Sequence, residues 1–159
     1  MAKPAASASD SAGINFPPPV LFAVPFLIGL SFDRHLGPWR PPARLSHILG
    51  AILTLAALAL ILSAIGLFRR SGTTLRTDRT STTLLTEGPY RFTRNPLYTA
   101  LATLYLGLAL LLRAPGALFA WPVAIALMQI IVIQREELYL TRRFGDQYVS
   151  YRARVRRWI

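Results

Sequence analysis

Between Ser46 and Phe68 the chain has no aspartate, glutamate, lysine or arginine over about 23 positions. At a rise of about 1.5 Å per residue, a helix of this length crosses the hydrocarbon core of a bilayer, which is about 30 Å thick. Arg69 and Arg70 end the run. The sequence therefore predicts a membrane-spanning helix here.

Three further apolar stretches predict membrane spans. The first covers about 14–32 and contains four prolines; no cleavage site of small residues follows it, so we expect a retained, proline-interrupted helix rather than a signal peptide. The third covers about 96–112 and the fourth about 117–133, and the short connection 113–116 predicts an antiparallel hairpin. The predicted fold is all-α, a polytopic membrane protein with about four transmembrane helices.

Composition divides the chain into three regions. Residues 1–13 are small and polar and are expected to be disordered. Residues 14–68 hold the two N-terminal spans, and residues 69–159 hold a loop, the helical hairpin and an arginine-rich tail. The chain has no cysteine, which excludes disulfides, thiol catalysis and cysteine metal sites. With only two histidines, we expect no metal site.

The positive charge is unevenly distributed. The formal net charge is +11 although hydrophobic residues make up 53% of the chain. A nucleic-acid-binding protein would also be basic but would not need four long apolar segments, so we expect membrane lipids and not nucleic acid as partners. Lys3, six arginines in the loop 69–95 and seven in the tail 134–159 fall on one side of the predicted topology, against four arginines on the other. This asymmetry predicts that both termini are cytoplasmic, in a bacterial inner membrane.

The stretch Gly88–Tyr98 reads GPYRFTRNPLY and joins the second and third spans. Its first two residues are a turn signal. Asn95 and Pro96 are a helix-start signal, since asparagine can accept a hydrogen bond from an orphan N–H and proline suits the first helical position. The turn should present Tyr90, Arg91 and Arg94 at the membrane edge, with Tyr98 one turn inside the apolar helix that follows.

Glu136 and Glu137 lie where the fourth span leaves the membrane. Neighbouring residues on a helix point about 100° apart, so we expect one carboxylate to face the helix bundle and the other to pair with an arginine. The alternative is that both are solvated partners of surrounding arginines. The hairpin returns Glu136 to the membrane face that carries Arg94, Asn95 and Tyr98. Arginines, a helix N-terminus, aromatic rings and a carboxylate together suit a ligand with both charges and an aromatic base.

The tail has a helical periodicity. Six apolar or aromatic residues recur at an average spacing of 3.6, which predicts a helix with one such face: Leu140, Phe144, Tyr148, Tyr151, Val155 and Trp158. Gly145 can divide it into two helices. An alternative role for this segment is a basic amphipathic helix that rests on the membrane surface. His35 and His47 fall on the opposite side of the membrane, and we expect neither to be a catalytic base.

The ordered motifs G-P-Y-x-x-x-R-N-P-x-Y and E-E-x-x-L-x-x-x-F-G-x-x-Y-x-x-Y-x-x-x-V-R-R-W, separated by the hairpin, resemble the isoprenylcysteine carboxyl methyltransferase and phospholipid methyltransferase superfamily, and most closely its small bacterial members. The resemblance covers about 68–159. It implies an integral-membrane methyltransferase that binds S-adenosylmethionine at the cytosolic face. The cofactor-binding residues that it implies are Thr82, Thr83, Leu84, Leu85, Tyr90, Arg94, Asn95, Pro96, Leu97, Tyr98, Glu136 and Glu137. It assigns no catalytic residue.

Two departures from the pattern bear on the substrate. The eukaryotic prenylcysteine enzymes have histidine at the position of Asn95, and they have a substrate-binding arginine at the position of Val132. The second departure argues against a prenylcysteine substrate. The resemblance implies methyl transfer by direct displacement to a lipophilic acceptor, either a carboxylate or a lipid headgroup amine.

Two other functions stay open. One is a non-enzymatic membrane scaffold whose basic tail binds anionic lipid or a partner. The other is an enzyme similar to the sterol reductases, which share the C-terminal architecture but use a nicotinamide cofactor. The sequence makes no prediction of the oligomeric state.

Overall fold

The computed structural model describes residues 16–36, 38–70 and 84–159. Within these ranges every regular element is helical, which confirms the all-α fold class. A 3-10 turn covers Gly88–Arg91 and a π-helical segment covers Met128–Ile133. The α-helices are α1 Val20–Phe32, α2 Ala43–Arg70, α3 Pro96–Leu111, α4 Pro115–Leu127, α5 Gln134–Phe144 and α6 Asp146–Arg154.

Two helical units are long and apolar enough to cross a membrane. α2 has 28 residues, and α4, the π-helical segment and α5 form one continuous unit of 30 residues, Pro115–Phe144. α1 and α3 are shorter apolar helices of 13 and 16 residues. Leu55 and Leu62 on α2 are each 68% exposed, as expected for a surface that faces lipid. The chain is a small polytopic membrane protein.

The first helix begins later than the sequence predicts. α1 starts at Val20, whereas the apolar run suggests a start near residue 14. Pro17, Pro18 and Pro19 lack the backbone N–H that a helix interior needs, and they form the turn before the helix, where their carbonyls accept from the N–H groups of 20–23. The N-terminal stretch over 1–13, expected to be disordered, lies outside the described residues.

Glycines let the helices approach closely in two pairs. α1 packs on α4, where a Cβ on Gly29 would lie only 2.6 Å from Ala117 Cα. α2 packs on α3, where a Cβ on Gly107 would lie 2.5 Å from Thr54 Oγ1. Small residues at such contacts allow backbones to meet, which is how helices pack in a membrane.

The connections at one end of the bundle are tied together. Asp33 Oδ1 accepts a hydrogen bond of 2.6 Å from the backbone N–H of Gly116, in the first turn of α4. Arg113 Nε donates to the Pro41 carbonyl at 2.9 Å. The segments 33–41 and 113–116 therefore share one end, and the predicted antiparallel hairpin of α3 and α4 is confirmed.

The tail forms two helices with a bend between them. Gly145 has a φ of +52° and separates α5 from α6. Tyr148 and Tyr151 are buried, so the predicted aromatic face packs against the protein. The prediction of a helix through Trp158 is wrong beyond Arg154. Val155 is extended, and the carbonyls that follow it bond to the turn before α3.

Candidate functional site

Tyr98 and Glu136 meet at the end of the bundle opposite the 33–41 connection. Each lies in the first turn of its helix, Tyr98 in α3 and Glu136 in α5. The Tyr98 hydroxyl donates a hydrogen bond of 2.7 Å to Glu136 Oε1. Both residues are half-buried. The resemblance implied both as ligands of one cofactor, and the fold brings them into contact across 38 residues of sequence.

Tyr90 completes this group from the 3-10 turn. Its ring packs edge-on against Phe68 with centroids 6.1 Å apart, and its carbonyl accepts a hydrogen bond of 2.7 Å from the Tyr151 hydroxyl. Burial, and then the negative charge of Glu136, raise the pKa of Tyr90. Its phenol is therefore neutral at physiological pH. We call Tyr90, Tyr98 and Glu136 the aromatic–carboxylate site.

Glu137 points away from this site into a cluster of arginines. Arg157 binds it in bidentate fashion, with Nε 2.8 Å from Oε1 and Nη2 2.7 Å from Oε2, and Arg94 Nη1 lies 3.2 Å from Oε1. Glu137 is only 7% exposed. These hydrogen bonds raise the pKa of the Arg157 guanidinium. The expectation that adjacent glutamates take separate roles is confirmed, and the alternative that both are solvated is wrong for Glu137.

Asn95 does not cap its helix with its side chain. It occupies the N-cap position before Pro96, but its Nδ2 donates to the Arg157 carbonyl at 2.9 Å and makes no cap hydrogen bond. Thr93 Oγ1 donates to the same carbonyl at 3.1 Å. The helix start predicted at Asn95 and Pro96 is confirmed, since α3 begins at Pro96. The side-chain cap bond is not formed, because the segment after α6 places a backbone acceptor beside the amide.

The remaining residues implied by the resemblance are distributed around the site. Pro96 is fully buried and Leu97 is half-buried at the start of α3. Leu84 and Thr86 line a groove of about 500 Å³, whose other wall is α6 with Asp146, Ser150 and Arg154. Leu85 is half-buried beside it. Thr82 and Thr83 lie outside the described residues.

Sequence reasoning missed Arg157 as a partner of Glu137. The tail contains seven arginines, and periodicity alone does not say which of them turns inward. The signal was present in the V-R-R-W ending of the second motif, which contains Arg157 and Trp158. Trp158 Nε1 also reaches inward and donates to Gln129 Oε1 at 3.0 Å.

The π-helical segment ends at Ile133, three residues before Glu136. Such segments are rare and are found frequently at functional sites. Val132 and Ile133 within it are fully buried in the apolar core. The position at which prenylcysteine enzymes have an arginine therefore contributes packing here.

The aromatic–carboxylate site has the chemistry to bind a cation or a set of hydroxyl and amino groups. The site contains two phenol rings, and aromatic rings of this kind attract a positive charge to their faces. Among the described residues, Glu136 accepts from Tyr98 on Oε1, which leaves acceptor capacity on Oε2 for a bound donor. A half-buried carboxylate at the polar end of apolar helices is costly unless it is used.

Comparisons with known proteins identify the family to which the chain belongs. The family model described as phospholipid methyltransferase matches residues 45–147, which is well over half of the chain and includes every implied site residue. An uncharacterized protein of Haemophilus influenzae is 41% identical over 63 residues, which cover 35% of this chain and 100% of that protein. No solved structure matches the chain. The chain belongs to the phospholipid methyltransferase family.

Proposed function

We propose that this protein is an integral-membrane, S-adenosylmethionine-dependent methyltransferase that acts on a lipophilic acceptor, either a carboxylate or a lipid headgroup amine. Membership of the family supports methyltransferase activity in a membrane. The observation that carries the proposal is the 2.7 Å hydrogen bond between Tyr98 and Glu136 beside Tyr90. It supplies a polar, aromatic site at the end of apolar helices.

The residues of this site fit the cofactor. S-adenosylmethionine supplies a methyl group already activated on a cationic sulfonium, so transfer can proceed by direct displacement. The rings of Tyr90 and Tyr98 suit its positive charge, and Glu136 suits its hydroxyl or amino groups. Tyr98 fixes one oxygen of Glu136, which orients the carboxylate before the cofactor binds.

Glu136 is better suited to the polar periphery of the cofactor than to the sulfonium itself. The positive charge disappears during transfer, so a carboxylate held against it would stabilise the ground state more than the transition state. The contribution required of the protein is alignment of the acceptor behind the methyl group and exclusion of water. We therefore expect Glu136 to contribute to cofactor affinity.

The surroundings of the site favour an acceptor that comes from the bilayer. The side chains next to Glu136 on the bundle side, Val132 and Ile133, are fully buried and apolar. A carboxylate acceptor is already deprotonated and needs no base, whereas an ammonium must first lose a proton. The cofactor would enter from the arginine-rich side, which the charge asymmetry assigns to the cytoplasm.

The proposal is tested by calorimetric titration of S-adenosylmethionine into the detergent-purified protein. We expect saturable binding that Tyr98→Phe and Glu136→Gln each weaken about tenfold, the effect of losing one hydrogen bond to a charged group. Tyr105→Phe and Glu87→Gln are matched controls. Tyr105 is buried in the core with no hydrogen-bond partner among the described residues, Glu87 is exposed, and neither should change the affinity.

Three results would count against the proposal. Absence of binding by folded protein, in detergent and again in lipid, would contradict the cofactor assignment. Binding of a nicotinamide cofactor instead would favour the reductase-like function. Loss of methyl transfer in Glu136→Gln with unchanged cofactor affinity would contradict the role given to Glu136.

A further inference from the structure

The segment 156–158, which follows the extended Val155 and which we call the strap, lies against both elements that carry the aromatic–carboxylate site. The backbone N–H of Arg94 donates to the Arg156 carbonyl at 2.9 Å. Trp158 reaches Gln129 in the π-helical segment at 3.0 Å. The strap therefore contacts the turn before α3 and the helical unit that continues into α5.

Arg157 contacts both of these elements, which the ion pair between Arg94 and Glu137 also joins. Its guanidinium binds both oxygens of Glu137, the neighbour of Glu136 on α5. Its carbonyl accepts from Asn95, three residues before Tyr98, and from Thr93. The side chain of Arg157 thus binds the helix that carries Glu136, and its backbone carbonyl binds the turn that leads to Tyr98.

The groups that Arg157 contacts are largely shielded from water, whereas its own side chain is 35% exposed. Thr93 is 5% exposed, Asn95 is 9% exposed and Glu137 is 7% exposed. Without Arg157, the buried Glu137 carboxylate keeps Arg94, 3.2 Å away, as its charged partner among the described residues. It loses both hydrogen bonds of the bidentate pair, and the loss of such bonds to a buried carboxylate is unfavourable. Surface arginine pairs, by contrast, contribute little. The pair of Arg157 and Glu137 therefore differs from the exposed arginines of the tail in having a specific, bidentate partner.

We propose that Arg157 is a positioning residue for the aromatic–carboxylate site: its bonds to Glu137 and to the Thr93–Asn95 turn hold Tyr98 and Glu136 within hydrogen-bonding distance. Glu137 is thereby assigned to positioning and not to the cofactor. The predicted effect on cofactor affinity rests on the proposed function, whereas the effect on the geometry of the free protein does not.

The geometry is tested without any cofactor. The chain has no cysteine, so Phe92→Cys and Leu138→Cys give a doubly spin-labelled protein with no other thiol. Phe92, in the turn before α3, is 77% exposed, and Leu138, on α5, is 64% exposed. Double electron–electron resonance measures the distance between the two spin labels. We expect a narrow distribution of this distance, which Arg157→Ala and Glu137→Gln should each broaden. Arg143→Ala, an exposed arginine on α5, is the matched control and should leave it unchanged.

Cofactor affinity is measured on the same variants. Arg157→Ala should weaken S-adenosylmethionine binding at least about tenfold, and Arg157→Lys, which keeps the charge but not the bidentate geometry, should weaken it less. The double variant Glu137→Gln with Arg157→Ala should bind no more weakly than the worse single variant, because both changes remove the same contact. Thermal unfolding identifies any variant that fails to fold, and Arg157→Lys then carries the test.

The outcomes separate the two proposals. A distance distribution that Arg157→Ala and Glu137→Gln leave narrow overturns the positioning role. A distribution that broadens, in a protein that binds the cofactor equally well with and without Arg157, also overturns it. A distribution that broadens, in a wild-type protein that binds no S-adenosylmethionine, supports the strap and overturns the proposed function.

Discussion

The side-chain amide of Asn95 is bonded to the strap and not to its own helix. Its Nδ2 is 2.9 Å from the Arg157 carbonyl, which a second donor, Thr93 Oγ1, also reaches. A buried hydrogen bond that is lost costs about 1–3 kcal/mol when a polar group is left unsatisfied. The identity of residue 95 therefore matters through the donor that it supplies.

Asn95→Asp tests this at the scale of one atom. The change replaces an N–H donor by a carboxylate oxygen that faces the Arg157 carbonyl, while the shape of the side chain is kept. We expect the free energy of unfolding to fall by about 2 kcal/mol, measured by denaturation with sodium dodecyl sulfate in mixed micelles. Gln147→Glu, the same exchange at an exposed position on α6, should change it little. If Asn95→Asp were as stable as Gln147→Glu, the hydrogen bond from Thr93 would be sufficient for the Arg157 carbonyl.

The two glutamates show what sequence can and cannot predict at this scale. Their divergence follows from helical geometry, which is local, and so it is predictable from adjacency alone. The partner of Glu137 is not predictable in this way, because Arg157 lies 20 residues away and reaches it only after the bend at Gly145 and the end of α6. Long-range partners depend on where the chain turns.

At the scale of helices, two contacts between glycine-bearing surfaces set how the bundle packs. Gly29 lies against the backbone of Gly116 and Ala117, all atoms that cannot move aside like a flexible side chain. At Gly66 on α2, no atom of the described residues lies within 4 Å of the position that a Cβ would take. A side chain larger than that of glycine is therefore excluded at position 29 and can be accommodated at position 66.

Gly29→Ala and Gly66→Ala are a matched pair that should change stability in opposite directions. The added methyl at Gly29 must separate α1 from α4, and overpacking of this kind costs about 1–3 kcal/mol. At Gly66 the methyl meets nothing, and alanine is favoured over glycine in a helix by roughly 0.5–1 kcal/mol. Thermal unfolding of both variants in one detergent gives the comparison. Unchanged or increased stability of Gly29→Ala would contradict the close packing of α1 on α4, and a loss of stability in Gly66→Ala would contradict the open space at Gly66.

Apolar runs predicted which segments are helical, because lipid-facing helices are uniformly apolar over their length. Their ends were predicted less well. α1 starts after three prolines, and α6 stops where the backbone carbonyls of the strap find donors in the turn before α3. A helical period continues through Trp158 in the sequence, so the pattern does not reveal that the chain has become extended. Tertiary hydrogen bonds decided that boundary.

At the scale of the whole molecule, the two ends differ in chemistry. One end holds Asp33 and Arg113 in contacts with backbone groups. The other holds the aromatic–carboxylate site, the strap and exposed arginines of α5 and α6. Basic residues near membrane helices are retained on the cytoplasmic side. The proposed function requires this orientation, since its cofactor is soluble and its acceptor comes from the bilayer.

Single cysteines placed at the two ends test the orientation, because the chain has no thiol of its own. Trp39 is 59% exposed in the connection between α1 and α2, and Gln147 is exposed on α6. With the protein in the inner membrane of a bacterial host, a membrane-impermeant maleimide should label Trp39→Cys in intact spheroplasts. Gln147→Cys should be labelled only after lysis. As a control, labelling of both variants in detergent would establish that each thiol is reactive. Labelling of Gln147→Cys and not of Trp39→Cys in intact spheroplasts would place the site on the periplasmic side, where S-adenosylmethionine made in the cytoplasm cannot reach it.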